Sequence, residues 1–123
     1  MASGKKVGEF SLKSITATSS PGPAGSVLTQ VNWEGTGTGF GAVFGTSTFV
    51  GGKSGTFSWC STSYQDNGDT VTGIGQGTYE STGKNKWSTK GIVDNSDGRR
   101  IVSEGEIVLS ARTWKGTLSE GQG

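Results

Sequence analysis

The 123-residue sequence contains no histidine and one cysteine, Cys60. Without histidine the chain lacks the commonest general base, the commonest metal ligand and every Ser–His or Cys–His nucleophile pair. One thiol and no imidazole nearly exclude a zinc site, and no disulfide can close within the chain. Cys60 has no electropositive neighbour in sequence to lower its pKa, so it reads as incidental rather than nucleophilic. No metal and no cofactor is expected.

An excess of charge of one sign is also missing. The net charge is +1, with 17% charged residues. A nucleic-acid or membrane-surface partner would need clustered Lys and Arg, so neither is expected. The densest basic cluster, Arg99-Arg100, stands beside Asp97 and reads as a solvated turn. No apolar run is long enough to span a bilayer. No apolar stretch follows Lys5 and Lys6, so no signal peptide is expected. The expectation is a cytoplasmic protein with a single domain over residues 1–123, of which 1–5 form a flexible lead-in.

Hydrophobic residues supply only 29% of the chain, while glycine alone contributes 23 residues. So little apolar surface raises the question of disorder. Disordered chains, however, are poor in aromatic and β-branched residues. This one has five Phe, four Trp and two Tyr, with many Val, Ile and Thr, which points to an all-β fold.

What is present is ordered. Trp33, Trp59, Trp87 and Trp114 are spaced by 26, 28 and 27 residues, the length of one strand up and one strand back. No stretch has the three-to-four apolar spacing of a helix. Turn signals recur instead, among them Ser19-Ser20-Pro21-Gly22-Pro23, Gly39-Phe40-Gly41, Gly51-Gly52-Lys53, Asp66-Asn67-Gly68-Asp69, Ser81-Thr82-Gly83-Lys84 and Asn95-Ser96-Asp97-Gly98. Asn-Gly and Asp-Gly supply the positive φ angles of hairpin turns. Eight segments lie between the turns: Lys6–Thr18, Ser26–Thr38, Ala42–Val50, Ser54–Tyr64, Thr70–Glu80, Lys84–Asp94, Arg99–Leu109 and Arg112–Glu120. Short connections make neighbours antiparallel. Closure would remove the sheet edges and bury one face with few apolar residues. The predicted fold is an eight-stranded antiparallel up-and-down (meander) β-barrel.

Side chains alternate along a strand, so each segment divides into two faces. Ile101, Ser103, Gly105, Ile107 and Leu109 oppose Arg100, Val102, Glu104, Glu106 and Val108. Trp114, Gly116 and Leu118 oppose Lys115. Trp87, Thr89, Gly91 and Val93 oppose Lys86 and Lys90. Val71, Gly73, Gly75, Gly77 and Tyr79 oppose Thr72, Gln76 and Glu80, with Ile74 an outward exception. Phe57, Trp59 and Ser61 form one set, and Val27, Val31 and Trp33 another. In the first strand Phe10 and Leu12 oppose Glu9 and Lys13, yet Val7 and Ile15 fall with the charges. The third strand is ambiguous. All four tryptophans thus face inward, from co-directional strands, with glycines between them.

Two readings of that surface stay open. Indoles over glycines can fill the barrel. Alternatively, glycines make room and aromatic walls hold a small apolar or aromatic ligand. The candidate ligand-binding residues are Trp33, Trp59, Ser61, Tyr79, Trp87, Thr89, Ser103 and Trp114. Glu34, Glu80, Glu104 and Glu106 all face outward, which favours binding over acid–base catalysis. Asp66, Asp69, Asp94 and Asp97 read as turn residues. Gly35-Thr36-Gly37-Thr38-Gly39 and Gly73-Ile74-Gly75-Gln76-Gly77 do not open helices and are not phosphate loops.

Gly39-Phe40-Gly41, Gly45-Thr46-Ser47 and Gly52-Lys53-Ser54-Gly55-Thr56-Phe57-Ser58-Trp59 resemble an uncharacterised branch of the small bacterial barrels grouped with the allene oxide cyclase-like superfamily. That resemblance implies an eight-stranded barrel, often oligomeric, with an apolar pocket and, in some members, cofactor-free cyclase activity. Gly77-Thr78-Tyr79-Glu80-Ser81 is similar to a segment of the avidin-like barrels, whose pockets are Trp-walled. Three functions follow as expectations. One is a small-molecule binder. Another is a cofactor-independent cyclase or isomerase assisted by Tyr79. The last is a self-assembling barrel with a filled core, its copies meeting through Ile74, Val102 and Val108.

Overall fold

The computed structural model describes residues 3–121. Eight strands follow one another: β1 Ser3–Pro21, β2 Val27–Gly37, β3 Gly41–Gly51, β4 Ser54–Tyr64, β5 Thr70–Gly83, β6 Lys86–Asn95, β7 Arg100–Val108 and β8 Thr113–Gly121. They form a closed barrel in sequence order, every neighbouring pair antiparallel. The only helical segments among the described residues are two short 3-10 turns, Pro23–Gly25 and Leu109–Ala111. Among the described residues no helix is long and apolar enough to cross a membrane. Since β1 begins at Ser3, only Met1 and Ala2 of the expected lead-in lie outside the described residues.

β1 closes the cylinder. Lys6–Lys13 pair with β8, and Phe10–Pro21 pair with β2. It also explains the mixed alternation of this segment. The register slips at Val7 against β8 and at Ile15 against β2. Each is an extra residue that resets the parity beyond it. Both side chains are exposed, at 38% and 53%. In β3 the partners decide the face. Val43, Gly45, Ser47 and Phe49 stand opposite Gly35, Trp33, Val31 and Thr29, and opposite residues share a face. Phe44 is left outside.

The inner faces of the remaining strands follow the alternation, with three corrections. Leu109, assigned inward, falls beyond the end of β7 in the 3-10 turn Leu109–Ala111 and is 45% exposed. Val27 has inward parity but is 52% exposed, because it opens β2 at the lip of the barrel beside Pro21. Val102 has outward parity but is only 2% exposed. It stands between Ile92 and Ser119 of the adjacent strands and so offers little to a partner. The fifth hairpin turns at Lys84-Asn85, later than Ser81–Lys84. Asn85 takes the left-handed conformation, φ 55°, which Asn tolerates better than most residues.

The inward glycines are filled rather than empty. A Cβ on Gly77 would stand 2.6 Å from Phe57 Cζ, and one on Gly105 would stand 2.8 Å from Phe10 Cζ. Gly45 lies directly beneath the Trp59 ring. Glycine is required here by close approach, since any side chain would displace an aromatic ring. Gly45→Ala is therefore expected to destabilise the fold by about 1–3 kcal/mol, the usual cost of overpacking. Urea denaturation checks this, and wild-type stability in the variant would refute the packing assignment.

Candidate functional site

Trp114 occupies the middle of the barrel. Its ring centroid lies 5.3 Å from that of Trp33, 5.4 Å from Phe57 and 5.6 Å from Trp59. Phe10 and Phe49 follow at 6.1 Å each. Most of these contacts are edge-to-face, the arrangement favoured by aromatic quadrupoles. The indole N–H of Trp114 donates to Thr89 Oγ1 at 2.9 Å, and that of Trp33 to Ser47 Oγ at 2.9 Å. Both pairs are buried, so each small hydroxyl satisfies a donor that would otherwise cost about 1–3 kcal/mol.

This aromatic layer divides the interior. The residues nominated from sequence lie on its two sides and do not form one site. Trp59, Ser61, Ser103 and Trp114 border an inner chamber, while Trp33, Tyr79 and Trp87 border a pocket at the opposite mouth. Thr89 lines neither and is committed to Trp114.

The inner chamber has a volume of about 80 Å³. An apolar cavity of roughly 150 Å³ accommodates one benzene, so this space is too small for an aromatic ring. Ser61 Oγ and Asn95 Oδ1 converge near Gly73, at 3.0 and 2.9 Å from the point where its Cβ would stand. Ser63 and Ser103 add hydroxyls. Phe40 covers this end. Gly39 and Gly41, at φ 79° and 73°, flank it in the β2–β3 turn, and the turn lays the ring into the barrel, 7% exposed. Arg99 latches the plug. Its guanidinium carbon is 3.9 Å from the Phe40 ring centre, and Nη1 donates to Gly39 O at 2.9 Å. Asp97 holds Arg99 in turn, accepting from Nε at 2.7 Å. Neither Ser63, Asn95 nor Phe40 was nominated from sequence. Phe40 lay in a recognised turn, but nothing local says that a turn phenylalanine folds inward.

The mouth pocket has a volume of about 320 Å³, within the roughly 300–1,000 Å³ range of small-molecule sites. The connections between β1 and β2, β3 and β4, β5 and β6, and β7 and β8 surround it. Trp33, Phe49, Tyr79 and Trp87 make an aromatic floor and wall, with Val31, Ile107 and Leu109 beside them. Tyr79 OH donates to Val50 O at 3.2 Å. Burial raises the pKa of its phenol above the ordinary value, so it stays protonated at neutral pH. Neither compartment is lined by an Asp or Glu among the described residues. Asp69 and Asp97 serve their turns, since Asn67 Nδ2 donates to Asp69 Oδ2 and Arg99 N to Asp97 Oδ1. The described residues hold no cluster of three or more potential metal ligands.

Comparison with protein-family models, with curated proteins and with solved structures found no match for this chain.

The division into compartments makes two expectations. Trp114→Ala should cost about 3–5 kcal/mol, measured by chemical denaturation, whereas a small loss would mean that the barrel does not depend on its central ring. The side-chain hydrogen bond from Arg99, then the one from its backbone N–H and its positive charge, outweigh burial and hold the Asp97 carboxyl below the usual range. The stability this supplies is complete above the ordinary carboxylate pKa and falls as pH drops through the lowered value. Between about pH 5 and pH 2 the thermal midpoint should fall, and Asp97→Asn should lose part of that dependence. The pair is partly solvated, so its share is below about 1 kcal/mol.

Proposed function

We propose that this protein binds a small apolar or aromatic molecule in the mouth pocket. The observation that carries the reading is that the partly buried Trp87 and the buried Trp33 line one space of about 320 Å³. The centre of the barrel is occupied, so the ligand sits above the Trp114 layer rather than within it. Aromatic walls hold such a ligand through buried area and edge-to-face contact. Tyr79, already bonded to Val50 O, shapes the wall. The lack of a carboxylate in either compartment supports binding over a cyclase or isomerase reaction, which would need a group to move a proton.

The motifs that resemble allene oxide cyclase-like barrels have structural work in this fold. Gly39-Phe40-Gly41 forms the plug, Gly45 receives Trp59, and Gly52-Lys53 turns into β4. They lend nothing to the functional reading beyond the barrel itself. A second reading, contact between copies of the chain, is favoured by one outer surface. Phe44 and Tyr64 pack edge-to-face there at 6.0 Å while remaining 45% and 51% exposed, and Ile74 is 70% exposed nearby on β5. If copies meet there, Ile74→Ser combined with Phe44→Ser lowers the sedimentation coefficient. A wild-type chain that sediments as a monomer removes this reading.

Neutral 2-naphthylmethanol tests the binding function. It should quench intrinsic tryptophan fluorescence saturably. Trp87→Ala should weaken its affinity about tenfold, equivalent to about 1.4 kcal/mol, with the fold of the variant verified by circular dichroism because Trp87 packs against the core. Unsaturable quenching, or equal affinity in wild type and Trp87→Ala, would falsify the assignment.

A further inference from the structure

The rim of the mouth adds a charge that an apolar ligand does not require. The connections at this end span Gly22–Ser26, residues 52–53 and 84–85, and Leu109–Arg112. They contain Lys53, Lys84 and Arg112 and no Asp or Glu. The turns at the opposite end carry Asp66, Asp69 and Asp97 against Arg99 alone. The connecting turns are therefore polarised along the axis, with the positive set over the aromatic pocket.

Arg112 lines the pocket itself and is the sole charged residue to do so among the described residues. None of the ion pairs among the described residues involves Arg112, Lys53 or Lys84. The Arg112 backbone is left-handed, φ 57°, a conformation in which glycine is accommodated more easily. Its carbonyl accepts from Ser14 N at 2.9 Å, which anchors the root of the side chain at the pocket edge.

We propose that the mouth recognises an aromatic carboxylate, its ring system against Trp87 and Trp33 and its carboxylate met by the Arg112 guanidinium. This rests on the binding function proposed above and names the ligand class for that site. A guanidinium presents a planar fork of donors that matches a carboxylate with two parallel hydrogen bonds. The pocket volume suits one or two rings. Lys53 and Lys84 contribute attraction over a Debye length, roughly 8–10 Å at moderate salt.

Two probes of nearly the same shape separate charge from apolar fit: 2-naphthoate and 2-naphthylmethanol. Each is titrated calorimetrically into wild type, Arg112→Gln and Arg112→Gly. Wild type should prefer naphthoate by about tenfold or more. Both variants should lose that preference, the two probes then binding within about twofold of each other. Arg112→Gly relieves the left-handed backbone, so it folds at least as well as wild type and guards against a loss caused by unfolding. Naphthoate binding no tighter than the alcohol in wild type, or a preference that survives in Arg112→Gly, overturns the carboxylate assignment and leaves the apolar site standing. Binding of neither probe overturns both.

Discussion

The indole of Trp114 is the contact on which the barrel interior depends. Phe10 from β1, Trp33 from β2, Phe49 from β3 and Phe57 and Trp59 from β4 meet it, and Thr89 from β6 takes its N–H. A single residue of β8 thus ties together strands from all around the cylinder. Burying one aromatic side chain of this size is worth roughly 4–6 kcal/mol by area, an upper figure because unfolded chains already bury part of it. For a chain with so few apolar residues, that concentration matters more than the apolar average. It also means that the centre is closed, and that any ligand must be taken up at an end.

The two ends are finished differently, for reasons of local chemistry. At one end the Gly39 and Gly41 conformations turn Phe40 inward, and Arg99 clamps it from outside. What remains beneath is small and rich in hydroxyls. At the other end the partly buried Trp87 lines the pocket together with the buried Tyr79 and Trp33. Size separates the compartments: the smaller suits a few water-sized groups and the larger suits a ring.

Much of the architecture was legible in the residues. The bounds of β4, Ser54–Tyr64, agree with the structure, and the alternation in β7 and β8 assigned Ile107, Trp114 and Leu118 to the core. Turn chemistry drove this success, because Asn-Gly, Asp-Gly and Gly-Gly act over a few residues. The failures have equally physical origins. Val7 and Ile15 are inserted residues whose effect on parity depends on the partner strand. β3 alternates small and large residues on both faces, so only its pairing with Trp33 and Trp59 settled which side is inside. Val102 is buried by its neighbours across two strands, which no reading of β7 alone would reveal.

The amino-acid sequence by itself determined the strand count, the meander order and the inward direction of four indoles. Each of these follows from interactions within one strand or one turn. It also nominated eight residues as a single group, of which Trp33, Tyr79 and Trp87 line the mouth pocket, and it missed Phe49 and Arg112. Only the tertiary structure decided that Trp114 bisects that group, that Thr89 belongs to its N–H, and that phenylalanine rings occupy the space above the glycines. Whether a gap left by a missing Cβ is empty depends on which side chain arrives from another strand and in which rotamer. That is a property of the closed barrel, and no segment carries it alone.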